Sequence, residues 1–236
     1  MIKEGKLTAI LKSPYYRTKL LRHRVAAGVE HVRVLSGLDF RTVVDIGANR
    51  GQFALVARQC QRQARVISFE PLPAAAAKFR AVFAGDDRVT LHEVAIGPVP
   101  RDATIHISQR DDSSSLLPIT STQVALFPCT AEVATSTVRV APLREFIQAP
   151  DILPPALLKV DVQGYELEAL RGCEEMLGQF AFVYAECSFV ELYGGQALGD
   201  EVIAWLRERG FRLRGVHNMD YDRGGRAIQA DFLFAR

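Results

Sequence analysis

From residue 42 onward, short apolar runs alternate with amphipathic stretches of helical length. Residues 43–46, 66–70 and 89–96 are rich in β-branched and aromatic side chains and read as strands. Residues 52–61 and 74–83 lie between them and read as helices. That β-α-β-α-β order predicts a parallel sheet with helices on both faces. The rhythm breaks at 101–150. Residues 104–108 and 137–140 alternate like strands, 110–115 are polar and turn-rich, 116–135 have no clear period, and 143–147 suggest a short helix. This stretch is too short and polar for its own core, so it is expected to be an insertion beside the site. Alternation resumes with strands at 157–162 and 182–187 and helices at 166–177 and 200–209. Strands at 211–216 and 230–234 close the chain. Asp222-Arg223-Gly224-Gly225 marks the turn between them, and so short a connection requires an antiparallel pair.

Ahead of the sheet, Leu20, Leu21, Val25, Val29, Val32 and Leu35 form a loose stripe at a spacing of three to four. It predicts helices over residues 1–37, with Ser13-Pro14 as a cap and Gly37 as a stop. The expected organisation is a helical extension at 1–40 followed by one domain at 41–236. With 236 residues, 48% of them hydrophobic, the chain can fill one large core. Net charge is +2, but residues 1–41 hold nine Lys or Arg against three acids. That leaves +6 on the leading segment and −4 on the rest. Such a segment could meet a phosphate-bearing substrate, nucleic acid or an anionic lipid surface, or simply be a solvated face; it could also form a dimer contact or a lid. Cys60, Cys129, Cys173 and Cys187 show no metal-site spacing, and no apolar run is long enough to span a bilayer. A reduced, cytoplasmic protein is expected.

The chemistry starts at Asp45-Ile46-Gly47-Ala48-Asn49-Arg50-Gly51, a strand end running into a glycine turn and a helix start. Ligands of doubly wound sheets bind at such carboxyl ends. The spacing is not G-x-G-x-x-G, and an acid before the turn would repel a pyrophosphate. Asp45 would instead suit an ammonium group, and the helix N-terminus would offer free N–H groups to a carboxylate. Glu70 ends the second strand, where its carboxylate can accept both hydroxyls of a ribose. The pair points to S-adenosylmethionine.

Val44 to Phe53 resembles the first motif of the FkbM family of S-adenosylmethionine-dependent methyltransferases. So do Ser68-Phe69-Glu70-Pro71, Val94-Ala95-Ile96-Gly97, the serine loop Asp112-Ser113-Ser114-Ser115-Leu116 and Ala185-Glu186-Cys187-Ser188-Phe189. The most specific block is Leu158-Lys159-Val160-Asp161-Val162-Gln163-Gly164-Tyr165-Glu166. The family usually has Glu where this chain has Gln163. The resemblance implies a Rossmann-like class I methyltransferase α/β fold: a seven-stranded, mostly parallel sheet with an antiparallel last strand and helices on both faces. It also implies methyl transfer to oxygen, in many members on a sugar or polyketide-type hydroxyl. Asp45, Gly47, Asn49 and Gly51 would then line the methionine side, Glu70 the ribose, and Val94 and Ala95 the adenine; the serine loop, with Ser114 as a candidate cofactor contact, could close over cofactor or substrate.

Three side chains are expected to carry the transfer: Asp161, Lys159 and Glu186. Asp161 ends the fourth core strand and is the first candidate for the base. Lys159, two residues earlier, should share its face and keep it ionised. Asp161 could equally cap a helix or orient the substrate. Glu186, on the adjacent strand, could bind a substrate hydroxyl or sit on the rim. His217 could serve as a base, though a surface turn suits it better; His92 and His106 read as structural, and His23 and His31 as face decoration. Asp161, Glu186 and Asp220 could together hold a metal, but none is expected. The acceptor is expected to be a small molecule or glycan. The basic leading segment keeps an RNA methyltransferase in view, although the chain lacks an aromatic stacking platform. A non-catalytic cofactor-binding module is the third reading.

Overall fold

The computed structural model describes residues 4–236. Strands β1 (Thr42–Ile46), β2 (Arg65–Phe69), β3 (Val89–His92), β7 (Ala156–Val160) and β8 (Phe182–Ser188) run parallel. Strand β10 (Ala227–Ala235) pairs antiparallel with both β8 and β9 (Arg212–Tyr221), as the short connection requires. The order β3-β2-β1-β7-β8-β10-β9 places the sheet's switch point between β1 and β7.

Alternate residues of β1 face opposite cores. Val44 and Ile46 join Leu158 and Val160 under α7 (Glu166–Gly172) and α8 (Gly199–Glu208). Val43 joins Leu157 and Tyr184 under α4 (Gln52–Cys60) and α5 (Pro73–Phe83). The second core also takes in the leading segment, which folds as α1 (Glu4–Lys12), α2 (Pro14–His23), a 3-10 turn (Val29–His31) and α3 (Val32–Leu35). Ser13 caps α2, accepting from the Tyr16 N–H, with Pro14 at the first helical position. The helices are not continuous over 1–37. Arg24 takes a left-handed φ of 58° and ends α2, so Leu21 falls off the stripe and is 74% exposed. Met1, Ile2 and Lys3 lie outside the described residues.

Two other expectations change. The run at 89–96 is two strands, because the chain leaves the main sheet after β3. Strand β4 (Ala95–Ile96) instead pairs with β6 (Glu132–Ala141), which pairs antiparallel with β5 (Arg101–Ser108). Ile105 and Val138 of this small sheet pack on Leu72 and Ala75. The expected helix at 166–177 stops at Gly172 and continues as a 3-10 segment (Glu174–Gln179). Residues 116–135 contain a short α6 (Ser121–Leu126), capped by the Thr120 hydroxyl. Among the described residues, no helix is long and apolar enough to cross a membrane.

Candidate active site

A cleft of about 1590 Å³ opens at the carboxyl ends of β1, β2, β7 and β8. Its floor is set by strand register. Asp45 of β1 lies opposite Lys159 of β7. The Lys159 ammonium sits 3.3 Å from Asp45 and 3.5 Å from Asp161, and donates to the Gly47 carbonyl at 3.0 Å. Burial works against its charge, but the Asp45 and Asp161 carboxylates outweigh that and hold its pKa above the usual lysine value. Burial pushes the Asp45 carboxyl up, and Lys159 pulls it back. Lys159 therefore stays protonated and acts as a clamp on Asp161. Asp45 is fully buried against it and does not line the cleft.

The turn above this floor is closed by its own backbone. The N–H groups of Gly47 and Ala48 donate to the Phe69 carbonyl, and that of Gly51 to Ala48. The Asn49 N–H donates to Glu70, and the Arg50 N–H to the side-chain oxygens of Asn49 and Gln52. The N–H groups of turn residues 47–51 are thus engaged, those of Gly47, Ala48 and Gly51 by backbone carbonyls and those of Asn49 and Arg50 by side chains, while α4 itself begins one residue later, at Gln52. Gly47 has φ +79°, and a Cβ there would lie 1.8 Å from the Asp161 carbonyl oxygen. Gly51, at φ +92°, would drive a Cβ to 2.5 Å from the Phe83 ring. It supports the turn from behind and does not line the cleft, whereas Gly47 and Asn49 do.

Glu70 accepts one backbone N–H on each oxygen, from Asn49 and Leu72, both at 2.8 Å. Burial pushes its pKa up to about 7, against those hydrogen bonds. Each oxygen keeps a lone pair for a further donor. Val94 and Ala95 are buried along the same cleft. The serine loop closes the opposite side. Ser114 Oγ accepts from the Ser108 N–H at 3.1 Å, and Ser115 Oγ donates to the Gln163 carbonyl at 2.6 Å. Arg50 reaches from the glycine turn to Asp111 on this loop, Nε to Oδ2, at 3.0 Å.

The remaining wall is a chain of carboxylates joined by amides. Gln163, held in the left-handed region at φ 56°, donates from Nε2 to Asp161 at 2.9 Å and to Glu186 at 3.1 Å. Its side-chain oxygen, Oε1, accepts from the Tyr193 hydroxyl at 2.7 Å. Gln229 donates to Glu186 at 3.2 Å and to Asp220 at 3.4 Å. Burial, then the nearby Asp161 and Asp231 carboxylates, raise Glu186 well above the usual range. Glu166 sits beneath, accepting the N–H groups of Val162 and Gly164, both at 3.0 Å; burial pushes its pKa up to about 7. The structure brings together Asp161, Glu186 and Asp220, which their spacing in the sequence could not show, but two neutral amides bridge them. No group of three metal-ligating side chains is found among the described residues.

Two residues of this wall had no sequence motif. Gln229 and Asp231 occupy alternate positions of β10, an otherwise apolar strand. That period-two polar pair was the available signal. His31 had none. It lines the cleft beside Asp231, with Nδ1 3.5 Å from Oδ2. Outside the cleft, His217 rests near the Tyr184 ring, His92 stacks on Phe69, and His106 pairs with Glu132 at 2.8 Å.

The donor set fits S-adenosylmethionine. Glu70 keeps acceptor capacity on both oxygens at the cleft wall. Asp161, Glu186, Asp220 and Asp231 line one side of the cleft, and the Lys159 ammonium beneath them is already paired with Asp45 and Asp161.

Comparison with known proteins agrees with this geometry. The family model for the methyltransferase FkbM domain matches residues 45–213. The chain is 28% identical over 203 residues to 2-O-methyltransferase NoeI of Sinorhizobium fredii, covering 83% of this chain and 84% of NoeI. It is 26% identical over 148 residues to Methyltransferase 1 of Beauveria bassiana, covering 56% of this chain and 58% of that one. Among solved structures, TehB from Haemophilus influenzae shares the fold at a TM-score of 0.50 and 8% identity, over 92% of this chain and 65% of TehB. The chain belongs to the FkbM methyltransferase family and is an S-adenosylmethionine-dependent methyltransferase.

Proposed function

We propose that this FkbM-family methyltransferase methylates a hydroxyl of a sugar, glycan or secondary metabolite. The observation that carries this reading is the wall of carboxylates and amides facing the cofactor strand: Asp161, Gln163, Glu186, Gln229 and Asp220. Carboxylate oxygens held in a row by the Gln163 and Gln229 amides keep acceptor capacity for neighbouring hydroxyls. The NoeI name, a 2-O-methyltransferase, supports the same class.

S-adenosylmethionine would supply an electrophilic methyl group on a positively charged sulfur. Gly47 and Asn49 would bound its methionine side, Glu70 would accept the ribose hydroxyls, and Val94 and Ala95 would pack against the adenine, with Ser114 closing over it. Asp45 would act indirectly, by fixing Lys159 and through it Asp161. Because the leaving group is already good, most of the acceleration would come from holding the acceptor oxygen in line. Asp161 and Glu186 are the groups placed to hold it. Asp161 is the carboxylate first expected as base; its ties to Lys159 and Gln163 favour an orienting role.

The test is transfer of a radiolabelled methyl group to a panel of aryl glycosides, with RNA offered in parallel. An alkali-stable methyl ether on a glycoside is expected, and Asp161→Asn should slow it while leaving cofactor affinity within about threefold. Label entering only RNA would overturn the reading, as would tight cofactor binding with no transfer to any hydroxyl acceptor.

A further inference from the structure

We propose that His31, oriented by Asp231 through Tyr184, takes the proton from the acceptor hydroxyl. The inference rests on the hydroxyl-acceptor reading above and names the base for it. His31 comes from the leading segment, outside the matched family region, and Asp231 from the last strand.

The tautomer of His31 follows from its neighbours. The Tyr184 hydroxyl donates to Asp231 Oδ2 at 3.0 Å, and the Asn218 amide donates to the same oxygen at 2.7 Å. Burial, reinforced by Asp231, pushes the Tyr184 pKa up, so the hydroxyl keeps its proton and spends it on Asp231. His31 Nδ1 then faces the Tyr184 oxygen at 3.2 Å, the Asp231 oxygen at 3.5 Å and the donor amide of Asn218 at 3.4 Å. The Tyr184 oxygen also receives the Asn218 amide at 3.3 Å, but its own proton is committed to Asp231, so its 3.2 Å contact with Nδ1 is a hydrogen bond only when Nδ1 carries the proton. The lone pair is left on Nε2. Among the described residues nothing bonds Nε2, and the neighbour on that side is Gly28. A Cβ on Gly28 would lie 3.0 Å from His31 Cδ2 and 3.5 Å from Nε2, so glycine keeps that flank open. Both residues line the cleft.

The ring is fixed against the cofactor side of the site. It meets Phe53 of α4 edge-on, with centroids 5.2 Å apart, and the Lys159 ammonium lies 5.5 Å from the same ring. The charged and titratable groups around His31 are few. Glu30 on its own turn is paired with Lys6 of α1 at 2.8 Å. Asp231 comes from β10, Tyr184 from β8, Asn218 and His217 from β9, Asp45 from β1 and Lys159 from β7. A ring that turns Nε2 toward the cleft with a carboxylate behind it is the arrangement that can accept a proton and stabilise the imidazolium formed. In the step, the acceptor's O–H bond breaks and its proton goes to Nε2. An oxygen electron pair forms the new O–C bond, and the C–S pair leaves with sulfur, which becomes a neutral thioether. The imidazolium then returns its proton to solvent.

The test has a structural arm and a kinetic arm. Long-range nitrogen–carbon NMR of the imidazoles, with His31→Gln used to assign the His31 signals, should show neutral His31 protonated at Nδ1. Asp231→Asn should weaken that preference. With the best glycoside and saturating S-adenosylmethionine, His31→Gln should lower kcat by about a hundred- to ten-thousandfold, with cofactor affinity unchanged by calorimetry. Imidazole added to His31→Ala should restore part of the turnover. A proton on Nε2 overturns the proposal whatever the glycosides do, and so does wild-type turnover in His31→Gln. If no glycoside is methylated the acceptor class is wrong, and the NMR result still decides the arrangement of His31.

Discussion

Glu70 has two tasks that compete for one carboxylate. It already braces the glycine turn through the Asn49 and Leu72 N–H groups, and in our reading it must also accept two ribose hydroxyls. Its pKa of about 7 comes from burial and makes the second task pH-dependent. Below that value the carboxyl is protonated and gives up acceptor capacity; above it, both oxygens accept. Binding then expels a proton at low pH, so affinity for S-adenosylmethionine should rise with pH, by up to about tenfold per unit, and level off above neutrality. Calorimetry across that range checks it, and Glu70→Gln should bind weakly with a flat profile. A flat profile in the wild type would remove Glu70 from the ribose site. At this scale the sequence was legible where strand geometry alone decides. Lys159 and Asp161 share a face because they are two residues apart, and they do meet. The position of Asp45 beneath the cleft, and the amide bridges of Gln163 and Gln229, were not legible. They depend on which strand lies opposite, which only the β1–β7, β7–β8, β8–β10 and β9–β10 pairings fix.

Strands were easier to anticipate than their partners. The closing antiparallel pair followed from a short connection, yet the split at residues 92–95 did not, because nothing local in Val89–Ile96 says that its last residues pair with a strand more than forty residues on. The early stop of α7 has the same origin. Gly172 lies against the Gly97 backbone, where a Cβ would come within 2.7–2.8 Å of its carbonyl carbon, oxygen and nitrogen. Two opposing effects bear on Gly172→Ala. Helix propensity favours alanine by about 1 kcal/mol. Overpacking against backbone, which has no rotamer to move, costs about 1–3 kcal/mol. The clash should win. Urea unfolding should show a lower midpoint with unchanged slope, and cofactor affinity should weaken, because Gly97 follows the Val94–Ala95 wall. Stability equal to wild type would mean that the two glycines are not a packing pair.

The whole molecule depends on its leading segment more than its composition suggests. The +6 charge of residues 1–41 invites an electrostatic role, but part of it is spent internally. Lys6 pairs with Glu30, and Lys19 donates to the Val82 carbonyl. What the segment mainly contributes is core. Ile10, Tyr16, Val25, Ala27, Val34, Leu35 and Phe40 are all buried in the same cluster as Val43, Ala57 and Tyr184. Burying a large apolar side chain is worth about 1.5–3 kcal/mol, while whole domains are stable by only about 5–15 kcal/mol. A chain starting at Arg41 would leave the outer face of α4 uncovered and would lose His31 from the cleft. It should therefore lose its cooperative thermal transition or aggregate, and restoring the segment's charges on a soluble tag should not rescue it. If the segment were instead an RNA-binding arm, the truncated protein would melt like the full chain and lose only a salt-sensitive affinity for RNA, with steep dependence on ionic strength. Differential scanning calorimetry of the truncated chain, set beside RNA binding by the full chain over a salt series, separates the two outcomes.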